Sequence, residues 1–300
     1  MMFFANLAMT SFLIWNVGLG SNRTSIDASQ VKSIQNFLNE ISPDICVLQD
    51  FLAAYFDGGH LSDYFRIYDQ DLIHDLFPDY NVHIYPLQER GDDDITCISY
   101  CVLIKKDLLN IYVEPVEIGN TRNALEINVD SVKILVAYLE YADHITRYEQ
   151  LQNILSHPVD IICGDLNTFF RDVRREYFGN PLRILYHWKQ IGLYIASKVV
   201  RNMHVPRRVL SDKGWLLLSR NQYSFPLPFF WHTFLNTPLL RSTSWIWKII
   251  FSKPVLDPDN VLARDPNIFA LSPILFTKVI FNKEEIMGKA SDHGAIYFEI

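Results

Sequence analysis

The chain has 300 residues, of which 49% are hydrophobic and 20% are charged, and its formal net charge is −7. This composition supports one large domain with a sizeable core. We expect no transmembrane span in this chain. The apolar N-terminus has no Lys or Arg ahead of it and leads directly into a strand-like run. We therefore expect no cleaved signal peptide, and a cytoplasmic protein.

The charge is unevenly distributed. Residues 171–250 contain thirteen Lys or Arg and three acidic residues, so this stretch is +10 and the remainder is −17. All but one of the six tryptophans also lie between 169 and 250. We predict a single domain over 1–300 with a basic, aromatic-rich insertion at about 169–250. The insertion either packs its own small core or presents a surface to nucleic acid or an anionic membrane.

The first elements form a β-α-β unit. Residues 11–17 are short and apolar, as in a buried strand, and residues 45–49 are similar. Between them, apolar residues recur at spacings of three and four over 27–42, which predicts a helix. Asn16 and Asp50 follow the two strands, and we expect their side chains to meet at one edge of a sheet.

Further strand-like runs alternate with a helical pattern. Residues 56–95 are turn-rich and contain no clear element. The later predicted elements are strands at 96–105, 111–118, 124–130 and 133–139, a helix at 145–156, and strands within 160–165, 259–263, 273–281 and 295–300. This order favours a layered α/β sandwich. The four cysteines all lie in apolar runs without zinc-ligand spacing, which predicts buried free thiols.

Two short motifs follow or precede strands. In GDLN at 164–167, Gly164 permits a tight exit, Asp165 can orient an attacking water, and Asn167 can donate to a phosphate oxygen. In SDH at 291–293, His293 can act as a base or, when protonated, as a stabiliser of the transition state, and Asp259 is a candidate to raise its pKa. Each motif alone is more typical of a turn; together with Asn16 and Asp50 in this order, they indicate a site.

With these motifs, the chain resembles the endonuclease/exonuclease/phosphatase superfamily over about 11–168 and 255–300. The resemblance implies a four-layered α/β sandwich of two mixed β-sheets flanked by helices. It also implies Mg²⁺ (or Mn²⁺) as the cofactor. The implied roles are metal binding by Asn16, Asp50 and Asp292, water positioning by Asp165, phosphate contact by Asn167, support of His293 by Asp259, and a weaker site assignment for Arg122.

The chain departs from the family pattern at two positions. The family has a glutamate metal ligand where this chain has Asp50, which is one methylene shorter, so the metal would shift, bind through water or bind weakly. Most branches have histidine where this chain has Tyr138. The abasic-site endonuclease branch has tyrosine there, so Tyr138 is expected to donate to the phosphate, or to act as an acid if its pKa were lowered.

These observations predict a metal-dependent phosphoester hydrolase that uses in-line water attack, with a nuclease acting on DNA or RNA as the first choice. One alternative is a phospholipid or phosphoinositide phosphohydrolase at a membrane surface, as a peripheral protein. The other is a catalytically weakened or inactive descendant that binds a polyanion, for which Asp50 and Tyr138 are the supporting residues.

Overall fold

A computed structural model describes eleven stretches of the chain. They are residues 9–18, 28–52, 70–87, 98–141, 143–170, 204–218, 225–226, 254–256, 259–263, 277–280 and 295–300. Apolar residues at helical spacing also predict a helix at 181–200, and that segment lies outside the described residues.

The first sheet is mixed and has six strands. Its two central strands, β1 (Ser11–Asn16) and β2 (Ile45–Leu52), run parallel, with Asn16 paired to Gln49, and the last described strand pairs antiparallel with β1. In spatial order the strands are β15 (Thr277–Ile280), β16 (Ala295–Glu299), β1 (Ser11–Asn16), β2 (Ile45–Leu52), β4 (Ile98–Lys105) and β3 (Tyr80–Pro86).

The second sheet is also mixed and six-stranded. Its parallel pair is β7 (Val132–Val136) and β8 (Ile161–Asp165). Strand β14 (Asp259–Ala263) pairs antiparallel with β8, so that Asp259 lies beside Asp165. In spatial order the strands are β11 (Leu216–Leu217), β14 (Asp259–Ala263), β8 (Ile161–Asp165), β7 (Val132–Val136), β6 (Arg122–Val129) and β5 (Ile111–Gly119). Two small pairs complete the described strands: β9 (Phe169–Phe170) with β10 (His204–Val205), and β12 (Phe225–Pro226) with β13 (Pro254–Leu256).

Buried apolar side chains form three clusters that define the layers. The inner faces of the two sheets share one cluster, in which Phe12 and Val47 of the first sheet pack with Leu125 and Val136 of the second. The helices α1 (Ala28–Ile41) and α2 (Gln70–Leu76) cover the outer face of the first sheet, and α3 (His144–Ser156) and α4 (Arg208–Asp212) cover that of the second. The predicted four-layered sandwich is therefore confirmed.

Part of the basic segment belongs to the main core. Trp215 is fully buried beside α3 and its indole Nε1 donates a 2.9 Å hydrogen bond to the carbonyl of Leu155. Val205 and Leu210 pack in the same cluster, and Leu216 pairs with Ala263 in the second sheet. Residues 204–218 therefore complete one outer layer. The wider insertion at about 169–250 stays a prediction, since 171–203 and 227–253 lie outside the described residues.

The local predictions for the first half of the chain agree with the structure at most elements. Ile34 and Leu38 of α1 pack on the first sheet, as their spacing predicts. Cys46, Cys101 and Cys163 are buried free thiols, and Cys97 lies outside the described residues. The turn-rich interpretation of 56–95 was wrong for two stretches, which form α2 and β3.

No helix in the described stretches is both long and apolar enough to cross a membrane.

Candidate active site

A buried glutamine joins the two sheets beneath the candidate site. Gln49, near the end of β2, is fully buried. Its Nε2 donates a 2.9 Å hydrogen bond to the carbonyl of Ala137, and its Oε1 accepts a 3.0 Å hydrogen bond from the backbone N–H of Asp165. One carboxamide thus uses a donor and an acceptor to tie β2 to the ends of both β7 and β8. Because an unsatisfied buried amide is costly, this pairing fixes how the two sheets meet.

The second cross-sheet contact joins two of the predicted site residues directly. Asn16, at the end of β1, donates from Nδ2 to Oδ2 of Asp165 at 2.9 Å. The other carboxylate oxygen, Oδ1, accepts a 3.0 Å hydrogen bond from the backbone N–H of Asn167. Asn16 Oδ1 accepts from the backbone N–H of Gly18 at 3.0 Å. All three site side chains are buried, so the Asp165 carboxylate is held by a donor from each sheet.

Gly164 allows β8 to approach this bridge closely. Its φ is +119°, which L-residues rarely adopt, and a Cβ at this position would lie 2.3 Å from the carbonyl oxygen of Ala137 and 2.7 Å from Gln49 Nε2. Both contacts are shorter than any real Cβ contact. Glycine is therefore required for the Gln49 bridge to form, which gives a physical reason for the glycine of the GDLN motif.

Asp50 occupies a β-bulge. The pairing of β2 with β4 shifts register between Leu48 and Phe51, and Asp50 has a φ of +53° within this irregularity. Asp and Asn adopt the left-handed region more readily than other residues with a Cβ. Asn167, with a φ of +46°, shares this conformation. The backbone therefore favours aspartate at the position where the family resemblance predicts glutamate.

Tyr138 lies among the other site residues. Burial and the nearby carboxylates of Asp50 and Asp165 raise the pKa of its hydroxyl well above 10, although Arg122 and a hydrogen bond with Asn16 oppose this shift. This upward pKa shift is the opposite of the downward shift that Tyr138 would need to act as an acid. Tyr138 therefore carries a neutral hydroxyl that can donate a hydrogen bond.

Arg122 fixes Tyr138 from the side. Its guanidinium carbon lies 5.3 Å from the centre of the Tyr138 ring, in a cation–π arrangement. The same group donates to the carbonyl of Tyr138 at 3.2 Å and forms a 3.0 Å salt bridge with Glu140. The backbone N–H of Tyr138 also donates a 3.1 Å hydrogen bond to the hydroxyl of Tyr100. Arg122, predicted with less support, is thus adjacent to the site, where it orients Tyr138.

The structure brings together five of the predicted residues with described side chains, namely Asn16, Asp50, Asp165, Asn167 and Tyr138, with Arg122 beside them. The backbone of Asp259 lies next to that of Asp165 in the strand register, and the side chain of Asp259 is outside what the structure describes. Asp292 and His293 lie outside the described residues. The strand that follows them begins at Ala295 and pairs with β1, in the register Ile14 to Ile296.

The donor set suits a hard cation. Asn16 and Asp50 supply amide and carboxylate oxygens, which Mg²⁺ and Mn²⁺ prefer. Two buried carboxylates, Asp50 and Asp165, both act on the Tyr138 hydroxyl, and a bound cation would offset their like charge. The described side chains contain no group of three or more His, Cys, Asp or Glu arranged to hold a metal. The third ligand implied by the resemblance, Asp292, lies outside them.

Several residues that hold the site were not predicted. Gln49 joins the sheets, Tyr100 and Glu140 position Tyr138 and Arg122, and Arg147 donates to the carbonyls of Glu140 at 3.2 Å and Tyr141 at 2.9 Å. A signal for Gln49 was present in the sequence, since a lone amide ends the otherwise apolar run ICVLQ. Tyr100 and Glu140 contact residues distant in the sequence, and Arg147 reaches back to a loop, so none of the three has a local signal.

Solved structures with this fold are similar to the chain over almost its whole length. An AP endonuclease from Archaeoglobus fulgidus has a TM-score of 0.56 at 13% identity, covering 97% of this chain and 98% of the other. An endonuclease/exonuclease/phosphatase from Beutenbergia cavernae has a TM-score of 0.52 at 15% identity, covering 97% and 71%. D. rerio TDP2 complexed with single strand DNA product has a TM-score of 0.50 at 15% identity, covering 97% and 98%.

These similarities show that the chain has the fold of the endonuclease/exonuclease/phosphatase superfamily, the deoxyribonuclease I-like sandwich. The fold expected from the sequence resemblance is therefore confirmed. No protein-family model matches the chain, and no curated protein matches it in sequence.

Proposed function

We propose that this protein is a divalent-metal-dependent phosphoester hydrolase that acts on DNA or RNA. The observation that carries the proposal is the buried Asn16–Asp165–Asn167 cluster, in which donors from both sheets hold one carboxylate. The AP endonuclease and the single-stranded DNA complex of TDP2 among the fold's solved members support a nucleic-acid substrate. The basic segment at 171–250 adds a means of binding phosphates. The cytoplasmic location stays a prediction.

Asp165 would orient the attacking water. Because each of its oxygens accepts a hydrogen bond at 2.9–3.0 Å, the carboxylate is fixed in one rotamer and can receive a water proton as the water approaches phosphorus. The new bond forms between the water oxygen and phosphorus as the bond to the leaving oxygen breaks. The leaving oxygen takes a proton, which protonated His293 would supply with Asp259 as its support.

Two neutral donors would bind the phosphate. Asn167 Nδ2 donates one of its hydrogens to the carbonyl of Leu139 at 3.0 Å, and its second hydrogen can bond a phosphate oxygen. Tyr138, whose raised pKa keeps its hydroxyl protonated, would donate to another. Such fixed donors stabilise charge that develops on phosphate oxygens in the transition state.

Asn16 and Asp50, with Asp292, would hold Mg²⁺ or Mn²⁺. A metal bound there would act as a Lewis acid on a phosphoryl oxygen. The assignment can be tested by metal-dependent thermal unfolding, since a ligand that binds the folded state alone raises the melting temperature. We expect Mn²⁺ to raise the Tm of the wild type but not of Asp50→Asn. Asparagine keeps the left-handed conformation and removes the charge. An equal rise in the variant would exclude Asp50 as a ligand.

The activity is tested by nicking of supercoiled plasmid, intact and partly depurinated, with Mg²⁺ or Mn²⁺. Nicking that requires both metal and His293, with His293→Ala as the comparison, would support the hydrolase, and a preference for depurinated DNA would favour an abasic-site substrate. Absence of nicking with either metal would count against a nuclease. Mn²⁺ binding without hydrolysis of any phosphoester would favour the inactive descendant.

A further inference from the structure

Three exposed apolar side chains lie close together in sequence beside the candidate site. Tyr141 is 39% exposed, Ile145 is 59% exposed and Tyr148 is 49% exposed. Ile145 and Tyr148 are three residues apart at exposed positions of α3, and Tyr141 lies in the loop that connects Tyr138 to this helix. We name these three residues the aromatic rim. Two exposed rings and an exposed isoleucine within eight residues are more typical of a contact surface than of scattered surface residues.

The loop that carries the rim is fixed to the site. Arg147, itself buried, donates from Nη1 to the carbonyls of Glu140 and Tyr141 at 3.2 and 2.9 Å. The backbone N–H of Glu140 donates to Gln150 Oε1 at 2.8 Å, and the Glu140 carboxylate binds Arg122, whose guanidinium stacks on Tyr138. The rim is therefore held in a constant position relative to Tyr138, and binding there costs little ordering of the backbone.

The charges around the rim identify the kind of group it can bind. Within 140–149 the single arginine is the buried Arg147, and there is no lysine. The acidic residues include Glu140, which pairs with Arg122, and Asp143, which accepts hydrogen bonds from the N–H groups of Ile145 and Thr146 as the cap of α3. Within 140–149, therefore, no Lys or Arg is exposed to meet a phosphate or an anionic bilayer. The rim offers flat rings, which suit an uncharged aromatic group.

We propose that the aromatic rim stacks against bases of a single-stranded nucleic acid whose phosphate occupies the candidate site. The proposal rests on the proposed function for the position of that phosphate. Bases within a duplex are already stacked on each other, so exposed rings select unpaired bases. The substrate class is therefore a single strand, or the unpaired end of a duplex, with phosphate contacts supplied by other parts of the chain.

The experiment measures binding without cleavage. Fluorescence anisotropy in EDTA compares a labelled oligothymidine of about twelve nucleotides with an abasic phosphodiester of the same length. We expect Tyr141→Ala and Tyr148→Ala each to bind oligothymidine about ten-fold more weakly and to bind the abasic chain as the wild type does. Tyr141→Phe and Tyr148→Phe keep the ring and should keep the affinity. Circular dichroism verifies that each variant is folded.

Tyr112→Ala is the matched control. Tyr112 is 68% exposed and lies on β5, seven residues before the Gly119 end, which is roughly 23 Å along the strand. Equal losses in Tyr112→Ala and the rim variants would overturn the proposal. The proposal would also be overturned if the rim variants bound oligothymidine as the wild type does, or if they bound the abasic chain equally weakly. Rim variants that lost binding to anionic vesicles but kept binding to oligothymidine would overturn it as well.

Hydrolysis of bis(4-nitrophenyl) phosphate with Mn²⁺ separates this proposal from the proposed function. The small diester reports on the Asp165 site, so we expect Tyr141→Ala and Tyr148→Ala to retain wild-type rates. If the wild type hydrolyses neither this diester nor DNA, the proposed hydrolase function is rejected. If oligothymidine binding still depends on the rim in that case, the proposed base-binding surface is retained.

Discussion

The carboxamide of Gln49 lies so close to Gly164 that a Cβ on the glycine would be 2.7 Å from Gln49 Nε2. This proximity joins β2 of one sheet to β8 of the other immediately beneath Asp165. The structure of the candidate site therefore depends on a residue with no side chain and on a buried amide that the predicted chemistry does not use.

Gly164→Ala should destabilise the protein severely. The added methyl would meet the carbonyl of Ala137 as well as Gln49, and the φ of +119° would add backbone strain. We expect a loss of more than about 3 kcal/mol in the free energy of unfolding, measured by urea denaturation. Gly214→Ala is the control, since Gly214 has a φ of +76° with nothing within 4 Å of its Cβ position. It should lose about 1 kcal/mol, and equal losses would show that the clash is not decisive.

Asp165→Asn should lower kcat sharply, and it should also cost about 1–3 kcal/mol of stability because one buried donor loses its acceptor. An asparagine of the same shape can keep an oxygen toward one of the two donors, Asn16 Nδ2 and the N–H of Asn167, but cannot accept a water proton. We expect kcat to fall by about 100-fold or more, measured on any phosphodiester that the wild type hydrolyses. A variant that retained wild-type kcat would remove Asp165 from the mechanism.

Trp215→Phe and Trp215→Ala test whether residues 204–218 belong to the core. The alanine variant empties a fully buried site against α3, and we expect it to lose about 3–5 kcal/mol. The phenylalanine variant keeps most of the volume but leaves the Leu155 carbonyl without the indole donor, so a loss of about 1–3 kcal/mol is expected. Chemical denaturation followed by far-UV circular dichroism measures both. A loss below ~1 kcal/mol for the alanine variant would contradict a core role.

Glu126 should make stability depend on pH below neutrality. Burial raises the pKa of this carboxyl, but hydrogen bonds from His157, Lys133 and Asn128 outweigh burial and lower the pKa below its ordinary value for glutamate. A depressed carboxyl pKa contributes stability above the unfolded value, and this contribution is lost as pH falls through the folded value. Between pH 5 and pH 3, Glu126→Gln should therefore lose less stability than the wild type in urea denaturation. Parallel curves for the two proteins would contradict this.

Most of the fold could be predicted from the sequence where apolar periodicity was strong. The opening β-α-β unit was placed to within a few residues because α1 and its two flanking strands each bury a regular set of side chains. By contrast, α2 has seven residues and β3 follows it after three more, so each provides too few periods to stand out from polar turn residues.

The candidate site was predicted as a set of residue types, but its supports were not. Asp165 and Asn167 could be recognised in GDLN because chemistry requires a carboxylate and an amide together. The bulge at Asp50 depends on how β2 pairs with β4, and the Arg147 contacts depend on how α3 packs beside the loop after Tyr138. Such features arise from tertiary contacts, so neither spacing nor composition indicates them.

The pairing of β1 with β16 has a consequence for how the chain is made. Ser11 pairs with Glu299, and β16 lies between β15 and β1 within the first sheet. During synthesis, β1 therefore has one hydrogen-bonding edge exposed until 295–299 emerge from the ribosome. Because unpaired strand edges promote aggregation, this edge of the nascent chain is vulnerable until β16 pairs with it. We therefore expect release from chaperones to follow completion of β16, and a ribosome stalled before residue 295 should hold a chaperone-bound chain.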